Sequence, residues 1–144
     1  MKIKIKKINS RAIIPTKGSV AAAGYDLYAS LDAPVTIPPH TTEKIPTDLS
    51  FELPDGYFAG IYARSGLATK QGLRPANCVG ICDSDYRGNY IVPLHNDTES
   101  DKIVNPGERI AQVIFQPYLV AEFEEVKELT TTDRGDGVFG STGL

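Results

Sequence analysis

No window of this chain keeps an apolar residue at every third or fourth position for long. Short runs of alternating apolar and polar residues are instead cut by Gly, Pro, Asn or Asp about every eight to twelve residues. A chain punctuated in this way cannot sustain long helices. It predicts an all-β fold of antiparallel strands that closes as a sandwich or jelly roll. Thirteen glycines and ten prolines supply the turns, and 144 residues are enough for one domain with its own core.

The expected strands follow from the alternation. Ile3, Ile5 and Ile8 fit the inward face of a first strand with the lysines outside, and Pro15 to Gly24 reads as loop. Val35–Ile37, Glu43–Thr47, Leu49–Leu53 and Tyr57–Ala63 come next, separated by Pro38-Pro39 and Pro54-Asp55-Gly56 turns. One short helix is predicted from Ser65 to Lys70, confined to a turn or two by Gly66 and Gly72. Later strands are expected at Val79–Asp83, Tyr90–Asn96, Asp101–Val104, Ile110–Tyr118 and Ala121–Glu125. The single β domain is expected to span residues 1–133, leaving 134–144 as a tail too glycine-rich for regular structure.

Composition narrows the function classes. Fifteen basic against eighteen acidic residues leave a net charge of −3, which argues against general affinity for nucleic acid, so any anionic ligand must be held by a few placed cations. No apolar run reaches membrane-spanning length, and the start, Met1 to Ile8, is a Lys/Ile alternation without a signal-peptide core; a cytoplasmic protein without membrane attachment is expected. Cys78 and Cys82 stand without a histidine cluster, since His40 and His95 are isolated, and read as reduced core thiols rather than a zinc site or a disulfide.

Five segments carry candidate chemistry. The densest runs from Asn77 to Ile91: two apolar strands flank a polar turn, which predicts a β-hairpin. Splayed slightly, such a hairpin offers main-chain N–H and C=O groups to a planar base, with Gly80 leaving room for it. Asp83, at the end of the first strand, is placed to accept a proton from water. The bland alternative is a solvated turn. Arg64-Ser65-Gly66 sits at a strand-to-turn junction where amides, a hydroxyl and a guanidinium can converge on a phosphate. In Pro106 to Gln112 the Gln112 amide can reach a phosphate, although a strand glutamine usually serves the sheet. Ala23-Gly24-Tyr25-Asp26-Leu27 offers a carboxylate after a glycine, or merely a capped turn. In the tail, Arg134 supplies a bidentate fork, Phe139 a flat face, and Gly140, Ser141 and Thr142 amides and hydroxyls, together the parts of a lid over a nucleotide, although most glycine-rich C-termini simply fray.

Taken in order, A-G-x-D-L, R-S-G-L-A, N-x-x-G-x-x-D-x-D-Y-R-G, G-E-R-I-A-Q and R-G-x-G-x-F-G-S-T-G make the chain, from about Ala23 to Gly143, resemble the trimeric deoxyuridine triphosphatase (dUTPase) family. The resemblance implies a jelly-roll-like β fold, a homotrimer with active sites shared among chains, a flexible C-terminal lid, and Mg²⁺-dependent hydrolysis of dUTP to dUMP and pyrophosphate. That reaction would clear dUTP from the nucleotide pool and supply dUMP for thymidylate synthesis. Carried over, Asp83 would be the catalytic base and Tyr86 would stack on the deoxyribose. Asn77, with main-chain groups of Gly80, Ile81, Cys82 and Asp83 and near Ile91, would read uracil. Arg64, Ser65, Gly66 and Gln112 would hold phosphates; Arg134, Ser141 and Thr142 would close on them, with Phe139 over the base. Asp26 would approach the metal through water, with Mg²⁺ held mainly by the triphosphate. Two positions depart from the family pattern: Val138 stands where many members have glycine, and Cys82 where an apolar residue is common. Rival readings are a dCTP deaminase-like enzyme, which should lack the D-x-D-Y-R-G segment and the tail motif, and a regulatory dUTP-binding β-trimer.

Overall fold

A computed structural model describes residues 1–77 and 79–137. Among them the chain forms eleven strands and one helix: β1 (Lys4–Lys7), β2 (Tyr25–Tyr28), β3 (Val35–Ile37), β4 (Thr42–Pro46), β5 (Leu49–Glu52), β6 (Tyr57–Tyr62), α1 (Ser65–Gln71), β7 (Leu73–Pro75), β8 (Gly80–Cys82), β9 (Ile91–Asn96), β10 (Lys102–Val104) and β11 (Arg109–Pro117). Every pairing is antiparallel. The ladders are β1-β5, β10-β3, β2-β11-β6-β8 and β4-β9-β7, the short-stranded, sheet-crossing pattern of a jelly-roll-like β fold.

Inward positions of these ladders meet in one core. Leu27, Ile37, Ile45, Leu49, Leu94 and Ile110 are fully buried. Phe51 anchors the aromatic part of the core, with ring centroids 4.5 Å from Tyr90 and 5.9 Å from Phe115. Ile3 and Ile5 pack against this core as their alternation predicts, whereas Ile8 lies beyond the strand and is half exposed. The helix buries Leu67 and stops at Gly72, which takes the left-handed conformation (φ 68°) and donates its N–H to Ala68. A glycine there ends the helix where the sequence suggests.

The structure departs from the sequence reading at four places. Tyr25–Tyr28 and Leu73–Pro75 are strands that short local patterning hides; each is completed by a distant partner, β11 and β9 respectively. Ala121–Glu125 is not a strand. The chain leaves the sheet after Tyr118, whose N–H bonds Gly56, and Phe123 is 95% exposed, so this alternating stretch has no ladder to join. The strands flanking Asp83–Tyr90 do not form a hairpin either. β8 pairs with β6 and β9 pairs with β4 and β7, so the two strands belong to different sheets. The intervening segment is too long for a tight turn and carries its own turn bond, Tyr86 N–H to the Asp83 carbonyl. Its end is drawn away by Tyr90, whose N–H bonds Leu49 and whose carbonyl accepts from Thr47. No helix among the described residues is long and apolar enough to cross a membrane.

Candidate active site

The divergence of β8 and β9 leaves a cleft of about 210 Å³ between them. Ile81, Cys82 and Asp83 form one wall, Asn89, Tyr90 and Ile91 the other, and Tyr86 stands at the mouth. It is smaller than the ~300–1,000 Å³ typical of drug-sized pockets, so it suits a small flat group. Asp83 borders this cleft on one side and a second hollow of about 520 Å³, shared with Phe58 and Tyr118, on the other. Asp83 therefore stands at the junction of the two hollows.

The walls are built to stay open. Gly80 is buried, and a Cβ on it would come within 2.9 Å of Asn77 Nδ2 and 3.2 Å of Ile61 Cβ, so its glycine lets Asn77 lie against the strand. A Cβ on Gly88 would overlap the Tyr86 ring, whose hydroxyl donates to the Asn89 carbonyl at 3.1 Å. Burial pushes the Cys82 thiol above the ordinary cysteine range, with Asp83 adding to the shift and Tyr90 opposing it. Burial, and then the neighbouring Cys82, likewise raises the Tyr90 phenol, whose hydroxyl has no partner of hydrogen-bond geometry. Both groups are therefore neutral near pH 7 and keep this part of the cleft uncharged. Cys82 is free and partly buried; Cys78 lies outside the described residues.

A second, charged cluster forms where β2, β11 and β6 lie side by side. The register sets Gln112 opposite Asp26 on one side and Tyr62 on the other. Arg64, two residues beyond Tyr62, returns its Nε to Asp26 Oδ1 at 2.8 Å, and Arg109 Nη1 reaches Asp26 Oδ2 at 3.2 Å. Asp26 thus holds two guanidiniums at once. Gln112 donates to the Ala63 carbonyl at 2.9 Å, in the space left by Gly24, where any Cβ would overlap the Gln112 amide. Arg64, Gly66 and Arg109 line a hollow of about 320 Å³ at the start of α1. The amides of Ser65 and Gly66 lie in the first turn, where helix N–H groups have no intrahelical acceptor.

The predicted residues thus fall into two groups that one chain does not bring together. In the β6-β8 register Ala59 faces Cys82, which sets Asp83 beside Phe58, while Arg64 lies past the opposite end of β6. Six residues of extended chain separate these levels by about 20 Å. Arg134 is exposed and donates to the Gly137 carbonyl within its own turn, belonging to neither group. Phe139, Gly140, Ser141 and Thr142, and the unusual Val138, lie outside the described residues. Sequence reasoning passed over Arg109 and the roles of Asp48 and Asn89. For Arg109 the signal was present, a cation three residues before Gln112 on a strand that must pair with Asp26.

The fold is thus a jelly-roll-like β shell with a small neutral cleft bordered by a carboxylate and, elsewhere on the same sheet, a guanidinium cluster. The dUTPase family model matches residues 10–143. A deoxyuridine 5'-triphosphate nucleotidohydrolase of Oryza sativa subsp. japonica is 43% identical over 99% of this chain and 81% of its own length. One of Burkholderia cenocepacia is 44% identical over 99% of both chains. Among solved structures, a glycine-to-serine mutant of Staphylococcus bacteriophage 80alpha dUTPase with dUpNHpp superposes with a TM-score of 0.90 at 26% identity, over 99% of both chains. The chain belongs to the dUTPase family.

Proposed function

We propose that this protein hydrolyses dUTP to dUMP and pyrophosphate, at sites assembled from more than one copy of the chain. The observation that carries the reading is Asp83 at the junction of the small cleft and the larger hollow. With uracil in the cleft, read by Asn77 and by main-chain groups of Gly80 to Asp83 and near Ile91, the sugar lies against Tyr86 and the α-phosphate near Asp83. Asp83 orients a water and takes its proton as the oxygen bonds to the α-phosphorus; the bond from that phosphorus to the bridging oxygen breaks, and pyrophosphate departs. The product dUMP is what thymidylate synthesis consumes. Discrimination follows from fixed donors and limited room: a donor aimed at uracil O4 opposes the amino group of cytosine, and the thymine methyl has no space.

Because Arg64 and Asp83 of one chain lie about 20 Å apart along β6, the guanidinium that serves a given Asp83 comes from a neighbour. A homotrimer with sites at its junctions meets this need. There Arg64, the Ser65 and Gly66 amides and Gln112 grip the phosphates, while Arg134, Phe139, Gly140, Ser141 and Thr142 close over the nucleotide as the tail 134–144 folds down.

Mg²⁺ fits as a companion of the triphosphate. Among the described residues no three His, Cys, Asp or Glu side chains cluster to cage a metal, and both Asp26 oxygens already accept from guanidiniums. Asp26 therefore contributes a contact through water at most, and its main work is to aim Arg64 and Arg109. Bound with the nucleotide, Mg²⁺ screens the charge of the triphosphate.

The test is phosphate release from dUTP, dCTP, dTTP and UTP, coupled through a pyrophosphatase. Turnover of dUTP far above the other three is expected. Equal turnover of dUTP and dCTP, or ammonia release from dCTP, would overturn the assignment.

A further inference from the structure

Behind the cleft, the two residues that join β4 to β5 make a grip that the reaction does not use directly. Thr47 gives both its N–H and its hydroxyl to the Tyr90 carbonyl, at 3.1 and 2.7 Å, and the Leu49 carbonyl accepts the Tyr90 N–H at 2.8 Å. Between them Asp48 adopts φ 52°, a left-handed conformation that Asp tolerates better than most residues, and this turns its side chain to Asn89, whose Nδ2 donates to Asp48 Oδ1 at 2.9 Å. The other carboxylate oxygen accepts from Ser30 Oγ at 2.7 Å and faces Arg11 Nε at 3.5 Å. Asp48 is 8% exposed, so its charge is compensated by these three partners rather than by water.

Asn89 links this buried carboxylate to the mouth of the cleft. Its carbonyl accepts the Tyr86 hydroxyl, and Gly88 lets the Tyr86 ring lie down against this stretch of backbone. The ends of the segment from Asp83 to Tyr90 are set by β8, laddered onto β6, and by the Thr47-Asp48-Leu49 grip. The grip holds the side of the cleft on which Tyr86 rests, together with Ser50, whose hydroxyl donates to the Arg87 carbonyl at 2.8 Å.

We propose that Asp48 is a positioning residue for sugar discrimination: through Asn89 it fixes the backbone that fixes Tyr86, and so sets how closely Tyr86 stands to the 2′ carbon of the sugar. The inference rests on the dUTP reading above. Its chemistry is that of a shared hydrogen bond with a defined polarity, an amide donating to a carboxylate. The polarity makes the bond reversible by design, because exchanging the two residues restores it with donor and acceptor swapped.

Three proteins test it: Asn89→Asp, Asp48→Asn, and the double exchange. Asn89→Asp sets two carboxylates against each other. Asp48→Asn leaves one acceptor for two donors. In the double exchange the new amide at 48 donates to the new carboxylate at 89 and still accepts from Ser30, while the second carboxylate oxygen at 89, buried where Asn89 Oδ1 has no partner, gains no donor and Arg11 loses its anion, so the restoration is partial. Two readouts are needed, the ratio of kcat/KM for UTP to that for dUTP, and amide hydrogen exchange over residues 83–90 without nucleotide. Asn89→Asp is expected to raise the ratio on the order of tenfold, the worth of one charge-assisted hydrogen bond, and to speed exchange in that segment while β11 stays protected; the double exchange moves both back part of the way toward the unaltered protein. A ratio unchanged in all three folded proteins, or exchange over 83–90 that ignores the swap, overturns the proposal. If the unaltered protein fails to hydrolyse dUTP, the functional reading falls by itself, and exchange over 83–90 still decides whether Asp48 positions the segment. Should Asn89→Asp fail to fold, Asp48→Asn alone carries both readouts.

Discussion

The two ends of β6 are furnished differently. Beside Phe58 is a small, neutral cleft whose walls are main chain, a thiol and a phenol held uncharged by burial, with one carboxylate at its edge. Past Tyr62 is a charged assembly in which Asp26 bridges two guanidiniums, accepting from Arg64 through one carboxylate oxygen and from Arg109 through the other. The first can recognise shape and hydrogen-bonding edges and can take up a proton; the second can only bind charge. A nucleotide triphosphate needs both within its own length, and a rigid strand keeps them about 20 Å apart in one chain. That separation is what leads us to propose that activity requires association of chains.

Changes at the cleft end should strike chemistry and recognition. Asp83→Asn is expected to have the largest effect, lowering kcat by more than a hundredfold within the about 10²–10⁴ that general-base help supplies, while dUTP binding measured by calorimetry stays largely intact. Retained turnover would move the base elsewhere. Gly80→Ala comes next. The added methyl must displace Asn77 or Ile61, so KM for dUTP should rise about tenfold with little change in kcat, and stability should fall by about 1–3 kcal/mol. A fall in kcat alone would place Gly80 in the chemical step and erase the division of labour within the cleft. The smallest effect concerns Cys82. Burial holds its thiol above the usual range, and because the thiolate is the reacting form, alkylation in a Cys78→Ser background should be slower than for a free thiol at pH 7.5 and climb as pH rises through and beyond the ordinary thiol pKa. Alkylation at the free-thiol rate near neutrality would show that the cleft is wetter than its walls suggest.

Much of this was legible before the structure. Strand alternation, the helix stopped by Gly72 and the placement of Asp83 at a strand end all follow from local rules, and local rules hold where neighbours in sequence are neighbours in space. They failed where the partner is distant. Nothing in Tyr25–Tyr28 announces that Gln112 will stand beside Asp26, and Ala121–Glu125 alternates as a strand would yet meets no ladder in its own chain. The supposed hairpin failed for the same reason: which sheet β9 joins is decided by Thr42–Pro46 and Leu73–Pro75, not by the turn before it. Asn89 and Asp48 are 41 residues apart, so their bond leaves no trace in spacing.

The central claim is that Asp83 and the Arg64 acting with it belong to different chains. Asp83→Asn and Arg64→Ala, each expected to be inactive alone and first assayed as such, can be co-refolded in equal amounts and the mixed assemblies verified by native mass spectrometry. With random assortment around a closed ring, about one junction in four pairs an intact Asp83 from one chain with an intact Arg64 from its neighbour. The account predicts recovery of about a quarter of the unaltered activity on co-refolding. Persistent inactivity in verified mixed assemblies would mean that each chain closes its own site, contradicting the account.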